Sequence, residues 1–361
     1  MRNLASIKKI SEILPIEGRD RIELAIIDGW SVIVKKDEFE VGGLCVYCEI
    51  DSLLPEKPEF EFLRSKDFRI KTMKMAGVIS QGICFPLSIL PEGKYKEGQD
   101  VTEILGVKKW ERPDATDVRI RKATNAKYPK WLMRFKFFRE LAYKRGEHRE
   151  AKGFPTFISK TDETRIQNAP HFLSMNEQWI FTEKIDGQSG TFALVRHKPR
   201  FPWQKERFEY IVCSRNIRLY NKDNSSYWKV SDMYHIEKVL KELIGDDEWV
   251  AIQGECIAPN VQGNKYKVDG PDLYVFNLIT PRGRVGSYEA KRIIESVRMK
   301  FVPIIENPFT SLPATVSEML EFAHGESALG NTIREGLVCR TLDGKLSFKA
   351  VDPIFLIKYN E

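Results

Sequence analysis

The stretch TEKIDGQSGTF covers Thr182 to Phe192 and places Lys184 beside two acids and a glycine. The apolar run Trp179–Phe181 precedes it, so the sequence predicts a strand that ends near Lys184, where a loop begins. A lysine at such a point is either a surface cation in a salt-bridged turn or a nucleophilic amine. The rest of the chain has to decide between these two interpretations.

Length and composition limit the class of protein. A chain of 361 residues predicts two domains, and 42% hydrophobic with 30% charged residues is typical of a globular protein. No run of eighteen apolar residues occurs, and the first residues lack the apolar core of a secretory signal, so we expect no membrane association. Six cysteines in so long a chain do not indicate a disulfide framework, which predicts a reduced, cytoplasmic protein.

Positive charge is concentrated between Arg119 and Lys152. This segment holds twelve Lys or Arg residues and three Glu, an excess of +9, whereas the whole chain has a net charge of +6. Tyr, Trp and Phe residues are interleaved, and Pro129–Arg145 has a helical apolar spacing. Basic residues mixed with aromatics indicate a polyanion-binding surface, while a solvated basic helix packed on its aromatic side is an equally ordinary interpretation. A membrane-surface helix is less favoured, since nothing else indicates lipid.

The first 110 residues predict a small β-barrel. Arg21–Ile26 and Trp30–Val34 flank Asp28-Gly29, a strong hairpin signal, and Leu44–Ile50 and Val78–Phe85 are further strand-like runs. Cys45 and Cys48 form a CxxC pair, but a tetrahedral zinc site needs four ligands and no second pair lies nearby in the sequence. Both are therefore interpreted as strand residues of the barrel.

From about residue 161 the pattern mixes strands and helices. Helices are predicted at Ser231–Ile244 and at Thr315–Ala323, where Thr315 and Glu318 can form a capping box. The predicted fold class is α+β, with an N-terminal small β-barrel followed by antiparallel sheets flanked by helices. The predicted domains are a barrel at 1–115, a basic aromatic linker at 116–160 and a second domain at 161–361.

Several short motifs accompany Lys184-Ile185-Asp186-Gly187 in a fixed order. In that order and with those gaps, the set resembles the nucleotidyltransferase motifs of polynucleotide ligases and capping enzymes. It is most similar to ATP-dependent RNA ligases with an N-terminal OB module, which join a 3′-hydroxyl to a 5′-phosphate. The resemblance extends to Lys160–Asn168 and to the barrel, so it covers nearly the whole chain. The motifs are Ser214-Arg215-Asn216, Gln253-Gly254-Glu255, Tyr274-Val275-Phe276-Asn277, Arg334-Glu335-Gly336 and Ser347-Phe348-Lys349.

The resemblance implies that Lys184 is the nucleophile. In such ligases a deprotonated lysine attacks the α-phosphate of ATP and forms lysyl-AMP, and AMP then passes to the RNA 5′-phosphate. It also implies that Asp186, Glu255 and Glu335 surround a catalytic Mg²⁺ or Mn²⁺, which keeps several waters. Glu255 can also serve the ribose, and single acids more often form only salt bridges.

The remaining site residues follow from the same resemblance. Glu183 and Gly187 belong to the nucleotide-binding set, and a glycine lets the backbone approach the ligand closely. Phe276 is the candidate for stacking on adenine, although a core aromatic is nearly as good an interpretation and Tyr274 alternates on the same face. The candidates for phosphate or ribose contact are Arg165, Arg215 and Lys349. Many relatives carry a second lysine two residues before Lys349, where this chain has Ser347, so Lys345 is an alternative aid to pyrophosphate departure.

The expected partner is RNA, as a nicked duplex or an RNA/DNA hybrid, with ATP and Mg²⁺ or Mn²⁺ as cofactors. A DNA ligase or a GTP-using capping enzyme stays open, but the order in which the barrel precedes the second domain favours an RNA ligase. A non-catalytic OB nucleic-acid-binding protein is a third hypothesis, which the presence of Lys184 with all three acids disfavours.

Overall fold

Short antiparallel strands build the first hundred residues, as the sequence predicted. The computed structural model describes residues 3–110, 128–129, 131–142, 153–199, 201, 203–220, 225–306 and 312–359. Two three-stranded sheets, β1-β5-β9 and β2-β3-β4, are joined by two smaller strand pairs and a helix, α1 (Thr102–Leu105). The strands are β1 (Ala5–Lys9), β2 (Glu12–Pro15), β3 (Ile22–Ile27), β4 (Trp30–Lys35), β5 (Leu44–Cys48), β6 (Ser52–Leu53), β7 (Met73–Met75), β8 (Val78–Ser80), β9 (Ile83–Phe85) and β10 (Lys108–Lys109).

The predicted strands of this module need one correction. The Asp28-Gly29 hairpin joins β3 to β4 with Ile27 opposite Trp30, as expected. Residues 78–85 are two strands rather than one, because Gly82 adopts a left-handed φ of 99° and the chain turns there. Cys45 and Cys48 lie buried in β5, and all six cysteines of the chain are free thiols.

The second module contains two large sheets. One has the order β11-β21-β20-β12-β19, and the other the order β14-β13-β15-β16-β17, with β18 pairing with β16. The strands are β11 (Thr164–Arg165), β12 (Trp179–Lys184), β13 (Gln188–His197), β14 (Arg207–Cys213), β15 (Trp249–Ile257), β16 (Asp272–Thr280), β17 (Gly283–Arg284), β18 (Lys300–Phe301), β19 (Ile304–Ile305), β20 (Gly336–Thr341) and β21 (Ser347–Val351).

Helices flank these sheets. The predicted helix Ser231–Ile244 is two helices, because His235 takes a left-handed φ of 49° and interrupts the run. The capping box of Thr315 and Glu318 is formed as predicted. The helices are α2 (Ser226–Met233), α3 (Ile236–Leu243), α4 (Ser287–Ser296), α5 (Val316–Ala323) and α6 (Pro353–Lys358).

The basic aromatic segment lies largely outside the described residues. Its described part contains a 3-10 turn at Leu132–Arg134 and helical residues at 136–142. The boundary at residues 115 and 116 also falls outside the described residues, so the domain limits stay a prediction. Within the described part of the chain, no helix is long and apolar enough to span a bilayer.

The two modules share a core and a polar interface. Val351, Phe355 and Leu356, from the end of the chain, are buried in the hydrophobic cluster of the barrel. Trp30 Nε1 donates to Asn168 Oδ1 at 2.8 Å, and Asn168 Nδ2 donates to a barrel carboxylate, Glu49 Oε1, at 2.7 Å. The segment Lys160–Asn168, which belongs to the resemblance, therefore joins the second module to the barrel.

Candidate active site

Strand pairing sets the position of Lys184. It is the last residue of β12, as predicted, and lies opposite Gly336, the first residue of β20. Glu335 precedes Gly336 and therefore reaches the same point. The ammonium of Lys184 donates to Glu335 Oε2 at 2.5 Å, so the chain brings two of the predicted site residues into direct contact across 151 positions.

A cavity of about 540 Å³ opens beside Lys184. Ten of the eleven site residues predicted from the sequence line it, although they come from seven separate segments of the chain. They are Arg165, Glu183, Lys184, Asp186, Gly187, Arg215, Glu255, Phe276, Glu335 and Lys349. This convergence is not required by any local pattern, since only the fold brings the segments together.

The acids around Lys184 act on its protonation. Burial alone would lower the pKa of Lys184, but the carboxylates of Glu335, Glu255 and Asp186 outweigh burial and raise the pKa. Lys184 is therefore an ammonium when no cation competes for these acids. Any ligand that draws the carboxylates away from it lowers its pKa and frees the lone pair.

The acids around Lys184 also have the charge that a divalent cation requires. Burial raises the pKa of Glu255 to about 8, and the neighbouring Glu335 and Asp186 carboxylates add to this rise while Lys184 opposes it. Neighbouring carboxylates that raise the pKa of Glu255 create a negative potential at that point, and a negative potential attracts a cation. Within the described residues, no three Asp, Glu, His or Cys side chains converge closely enough to ligate an ion directly. The arrangement fits a hydrated Mg²⁺, which keeps several waters between itself and the protein.

Three cationic side chains surround the Asp162 carboxylate at one end of the cavity. Its carboxylate lies 3.1 Å from Lys349 Nζ, 3.4 Å from Arg215 Nη2 and 3.6 Å from Lys109 Nζ. Burial alone would raise the pKa of Asp162, but these three cations hold it at about 2. One carboxylate among three cations leaves an excess of positive charge, which is the electrostatic requirement of a phosphate site.

The barrel contributes to this cavity as well. Asp51, in the turn between β5 and β6, accepts from Arg69 Nη2 at 2.9 Å and pairs with Arg165 Nη2 of the second module at 3.4 Å. The guanidinium of Arg69 lies over the Trp110 ring, 3.3 Å from its centroid. Sequence motifs predicted Arg165 but not its barrel partners, because contacts between distant segments leave no spacing pattern in the sequence.

A β-bulge directs Phe276 into the cavity. Gln253 of β15 pairs with Asn277 of β16, whereas the next residue, Gly254, pairs with Val275, so Phe276 is the extra residue. Bulges re-aim side chains next to functional sites. Tyr274, the alternative on the same face, does not line the cavity, and its ring instead lies 5.4 Å from Lys300 Nζ.

Two predicted residues next to Lys184 have additional contacts. Glu183 accepts from Ser327 Oγ at 2.5 Å and from the Ala328 amide at 2.8 Å, and burial raises its pKa. Its carboxyl group therefore anchors the loop before β20. Gly187 has no room for a side chain, because a Cβ would meet Cys256 O at 2.5 Å and Glu255 Cγ at 2.9 Å.

Lys345 is the one predicted site residue outside the cavity. Its side chain is 80% exposed, and its ammonium pairs with Asp343 at 2.9 Å on the turn between β20 and β21. A tight turn at Gly344 points this segment outwards, so the structure gives Lys345 no contact with the site. A second opening, of about 640 Å³, is lined by Arg282, Tyr288 and Leu342 among others, and none of the predicted site residues borders it.

Comparisons with known proteins identify the family of this chain. An RNA ligase family model matches residues 177–359, and an OB-fold domain model matches residues 4–87. The structure of Naegleria gruberi RNA ligase with PPi is 31% identical, with a TM-score of 0.80, and the alignment covers 100% of this chain and 99% of that chain.

Two further structures of the same N. gruberi ligase are similar over their full length. A glutamate-to-alanine mutant with ATP and Mn is 31% identical with a TM-score of 0.80, covering 100% of both chains. Another such mutant, with AMP and Mn, is 31% identical with a TM-score of 0.79, covering 98% of both chains. A search of curated proteins finds no match. The chain therefore belongs to the RNA ligase family, and it has the α+β fold with an N-terminal OB module that its sequence predicted.

Proposed function

We propose that this RNA ligase uses ATP to form lysyl-AMP at Lys184 and then seals 3′-hydroxyl/5′-phosphate nicks in duplexes that contain RNA. One observation carries the proposal: Lys184 ends a strand inside a cavity where ten predicted site residues converge. The complexes of the N. gruberi ligase with ATP and Mn and with AMP and Mn support the assignment of the nucleotide and the metal.

Three displacements make up the reaction. The neutral Lys184 amine forms an N–P bond with the α-phosphorus of ATP and loses a proton to solvent or a base, and the bond to the pyrophosphate oxygen breaks. An oxygen of the RNA 5′-phosphate then attacks the same phosphorus, which releases Lys184 and leaves AMP on the RNA end. Finally the 3′-hydroxyl attacks the 5′-phosphorus, AMP leaves, and the hydroxyl proton passes to solvent or a base.

Some side chains of the cavity supply positive charge for the phosphates, and another supplies an apolar surface for the base. Lys349 and Arg215, held 3.1 and 3.4 Å from Asp162, would meet the phosphates and neutralise charge that develops on their oxygens. Phe276 offers the flat apolar face that a purine requires. Arg165 is buried and held by Asp51, which makes it a rigid donor for a phosphate or the ribose.

Asp186, Glu255 and Glu335 would hold the hydrated divalent cation. The cation would supply positive charge at the α-phosphate and compete with Lys184 for these acids, which lowers the pKa of the nucleophile. In its absence the Lys184 ammonium keeps its hydrogen bond to Glu335 and has no lone pair for attack.

RNA binding is assigned to the barrel and the basic aromatic segment. The described part of that segment exposes several large apolar side chains, which suits stacking on bases better than burial in a core. They are Trp131, Phe135, Phe137 and Phe138. Sealing rates on two nicks, one with an RNA and one with a DNA 5′-phosphate strand, show which strand the enzyme accepts.

Radiolabelled nucleotides test the proposal. The protein is expected to take up label from α-labelled ATP in the presence of Mg²⁺ and much less from α-labelled GTP. Preferential labelling with GTP would indicate a capping-type enzyme, and no labelling with either nucleotide would contradict a live transferase. Sealing of a 5′-phosphate nick in RNA, compared with the same nick in DNA, then separates an RNA ligase from a DNA ligase.

Asp162→Asn is expected to bind inorganic pyrophosphate more tightly. Removing the one carboxylate among Lys109, Arg215 and Lys349 leaves their charge fully available to an anion, and we expect a gain of roughly fivefold at this partly exposed position. Titration calorimetry of the nucleotide-free protein measures the change.

Asp343→Asn is the matched control, because Asp343 holds a lysine on an exposed turn outside the cavity. Its pyrophosphate affinity should equal that of the wild type. Weaker binding by Asp162→Asn would mean that Asp162 orders the cations more than it competes with the anion.

Gly187→Ala is expected to disturb the site through Glu255. The new methyl group meets Cys256 O and Glu255 Cγ, so β15 has to move away from the loop after Lys184. We expect a lower melting temperature and a loss of roughly tenfold or more in nucleotide labelling. Gly153→Ala, where a Cβ meets nothing within 4 Å, is the control, and equal behaviour of the two variants would contradict the steric account.

A further inference from the structure

Residues 262–266 form hydrogen bonds with the loop that follows Lys184. Gln262 Nε2 donates to Gly187 O at 3.0 Å, and the Asp186 amide donates to the Tyr266 hydroxyl oxygen at 2.8 Å. Between these two contacts, the Lys265 ammonium donates to Asp186 Oδ2. Residues 262–266 thus hold both the backbone and the carboxylate two positions after Lys184.

Lys265 is an unusual lysine for its surroundings. Its side chain is 7% exposed and that of Asp186 is 8% exposed, so the pair is shielded from water. The ammonium also lies 4.9 Å from the Phe355 ring centroid and 4.6 Å from that of Tyr359, both in the last turns of the chain. Buried charges persist where partners compensate them, and here a carboxylate and two aromatic faces do so.

Lys265 takes part in none of the three displacements. It lies in none of the sequence motifs. Its contact is with Asp186, one of the acids around Lys184, and not with the Asp162 carboxylate that holds the phosphate-facing cations. Its ammonium adds a positive charge at Asp186, one of the three acids assigned to the divalent cation. A fixed positive charge next to a cation site weakens cation binding and sets the direction in which the carboxylate points.

We propose that Lys265 is a positioning residue that fixes the Asp186 carboxylate and limits the affinity of the acid set for its divalent cation. The inference rests on the proposed function, because it assumes that Asp186 serves the cation. By holding Asp186, Lys265 also links the site to α6 and thereby to the shared core. With Lys265 in place, the Asp186 carboxylate would face a hydrated cation in one orientation; without Lys265, the carboxylate would be free to bind the cation more tightly in another orientation.

The test measures binding of Mn²⁺ alone to the nucleotide-free protein, by the electron paramagnetic resonance signal of free Mn²⁺. Lys265→Met removes the charge while keeping an unbranched apolar stem. We expect its Mn²⁺ dissociation constant to fall at least fivefold, and the maximal adenylylation rate at saturating metal to fall at least tenfold. The melting temperature of the variant should also rise more on addition of Mn²⁺ than that of the wild type, since the metal then compensates Asp186.

Two further variants keep the test decisive. Lys265→Gln removes the charge but keeps a hydrogen-bond donor, so it serves if the methionine variant fails to fold, and it should also bind Mn²⁺ more tightly. Lys265→Arg keeps the charge and should bind Mn²⁺ within about twofold of the wild type. Unchanged or weaker Mn²⁺ binding by both uncharged variants overturns the inference, because a merely structural lysine would loosen the site.

Lys300→Met is the matched control. Lys300 pairs with Asp272 Oδ2 at 2.5 Å and lies over the Tyr274 ring, so it makes the same kinds of contact as Lys265, but at a more exposed position outside the cavity. Its removal should leave Mn²⁺ affinity unchanged. If Lys184→Ala abolishes labelling while Lys265→Met binds Mn²⁺ like the wild type, only this inference fails; if Lys184→Ala still labels, the proposed function fails first.

Discussion

Lys184→Arg and Lys184→Ala are both expected to take up no label from ATP, a loss of roughly 10⁴-fold or more. The alanine variant has no amine. The arginine variant keeps a positive charge beside Glu335, but a guanidinium stays protonated at any working pH and offers no lone pair. The two variants together therefore separate the need for charge from the need for a nucleophile. Label incorporation over time, followed on denatured protein, is the measurement.

Lys345→Ala is the control for this prediction. Lys345 was the alternative aid to pyrophosphate departure, but it lies on an exposed turn, so its removal should leave labelling within about twofold of the wild type. The alanine variant of Lys184 should still seal a nick that already carries AMP, because that step needs no lysyl intermediate. Robust labelling of either Lys184 variant would remove this residue from its role.

Glu255→Gln is expected to lose roughly 100-fold in adenylylation rate, which corresponds to about 2.7 kcal/mol of transition-state stabilisation. The variant should nevertheless stay folded. Burial holds the pKa of Glu255 at about 8, so without a cation the carboxyl group is largely protonated at neutral pH and resembles the amide that replaces it. The loss should therefore appear only in steps that need the charged form to hold a cation.

Stability against pH gives an independent check on this carboxyl group. Because the folded pKa of Glu255 is raised above its usual value, its contribution to stability is lost as the pH rises towards and through about 8. The glutamine variant should lose less stability than the wild type over that range. Glu237→Gln, on the exposed side of α3, should change neither the rate nor the pH dependence. Near-normal rates of Glu255→Gln at low Mg²⁺ would contradict the metal assignment.

Local motifs were enough to select ten residues that line one cavity. Lys184, Glu255 and Phe276 each stand at or near a strand end or bulge, in short motifs whose order identifies the family. The partners of these residues were not predictable in the same way. Asp51 reaches Arg165 across 114 positions and Lys265 reaches Asp186 across 79, and ion pairs at such separations have no periodicity. The sequence therefore predicted which residues border the cavity but not which side chains hold them there.

The secondary structure was also predicted only in part. The helix predicted at Ser231–Ile244 fails at His235, and the strand predicted at Val78–Phe85 fails at Gly82, because each takes a left-handed backbone conformation. The spacing of apolar residues continues across both positions, so neither interruption can be recognised from the sequence pattern. Alternation and capping residues predict where elements begin, as at Thr315, but a single left-handed residue inside a run depends on tertiary packing.

The shared core between the barrel and the end of the chain has a consequence for synthesis. Val107 belongs to the same hydrophobic cluster as Val351 and Phe355, although more than 200 residues separate them. At roughly 5–20 residues per second, the N-terminal barrel waits roughly 10 to 50 s after its own last strand before the ribosome delivers these residues. During that interval apolar barrel surface is uncovered. A chain that stops before Val351 would leave this surface uncovered permanently, and we expect such a truncated chain to be degraded more readily than the whole protein.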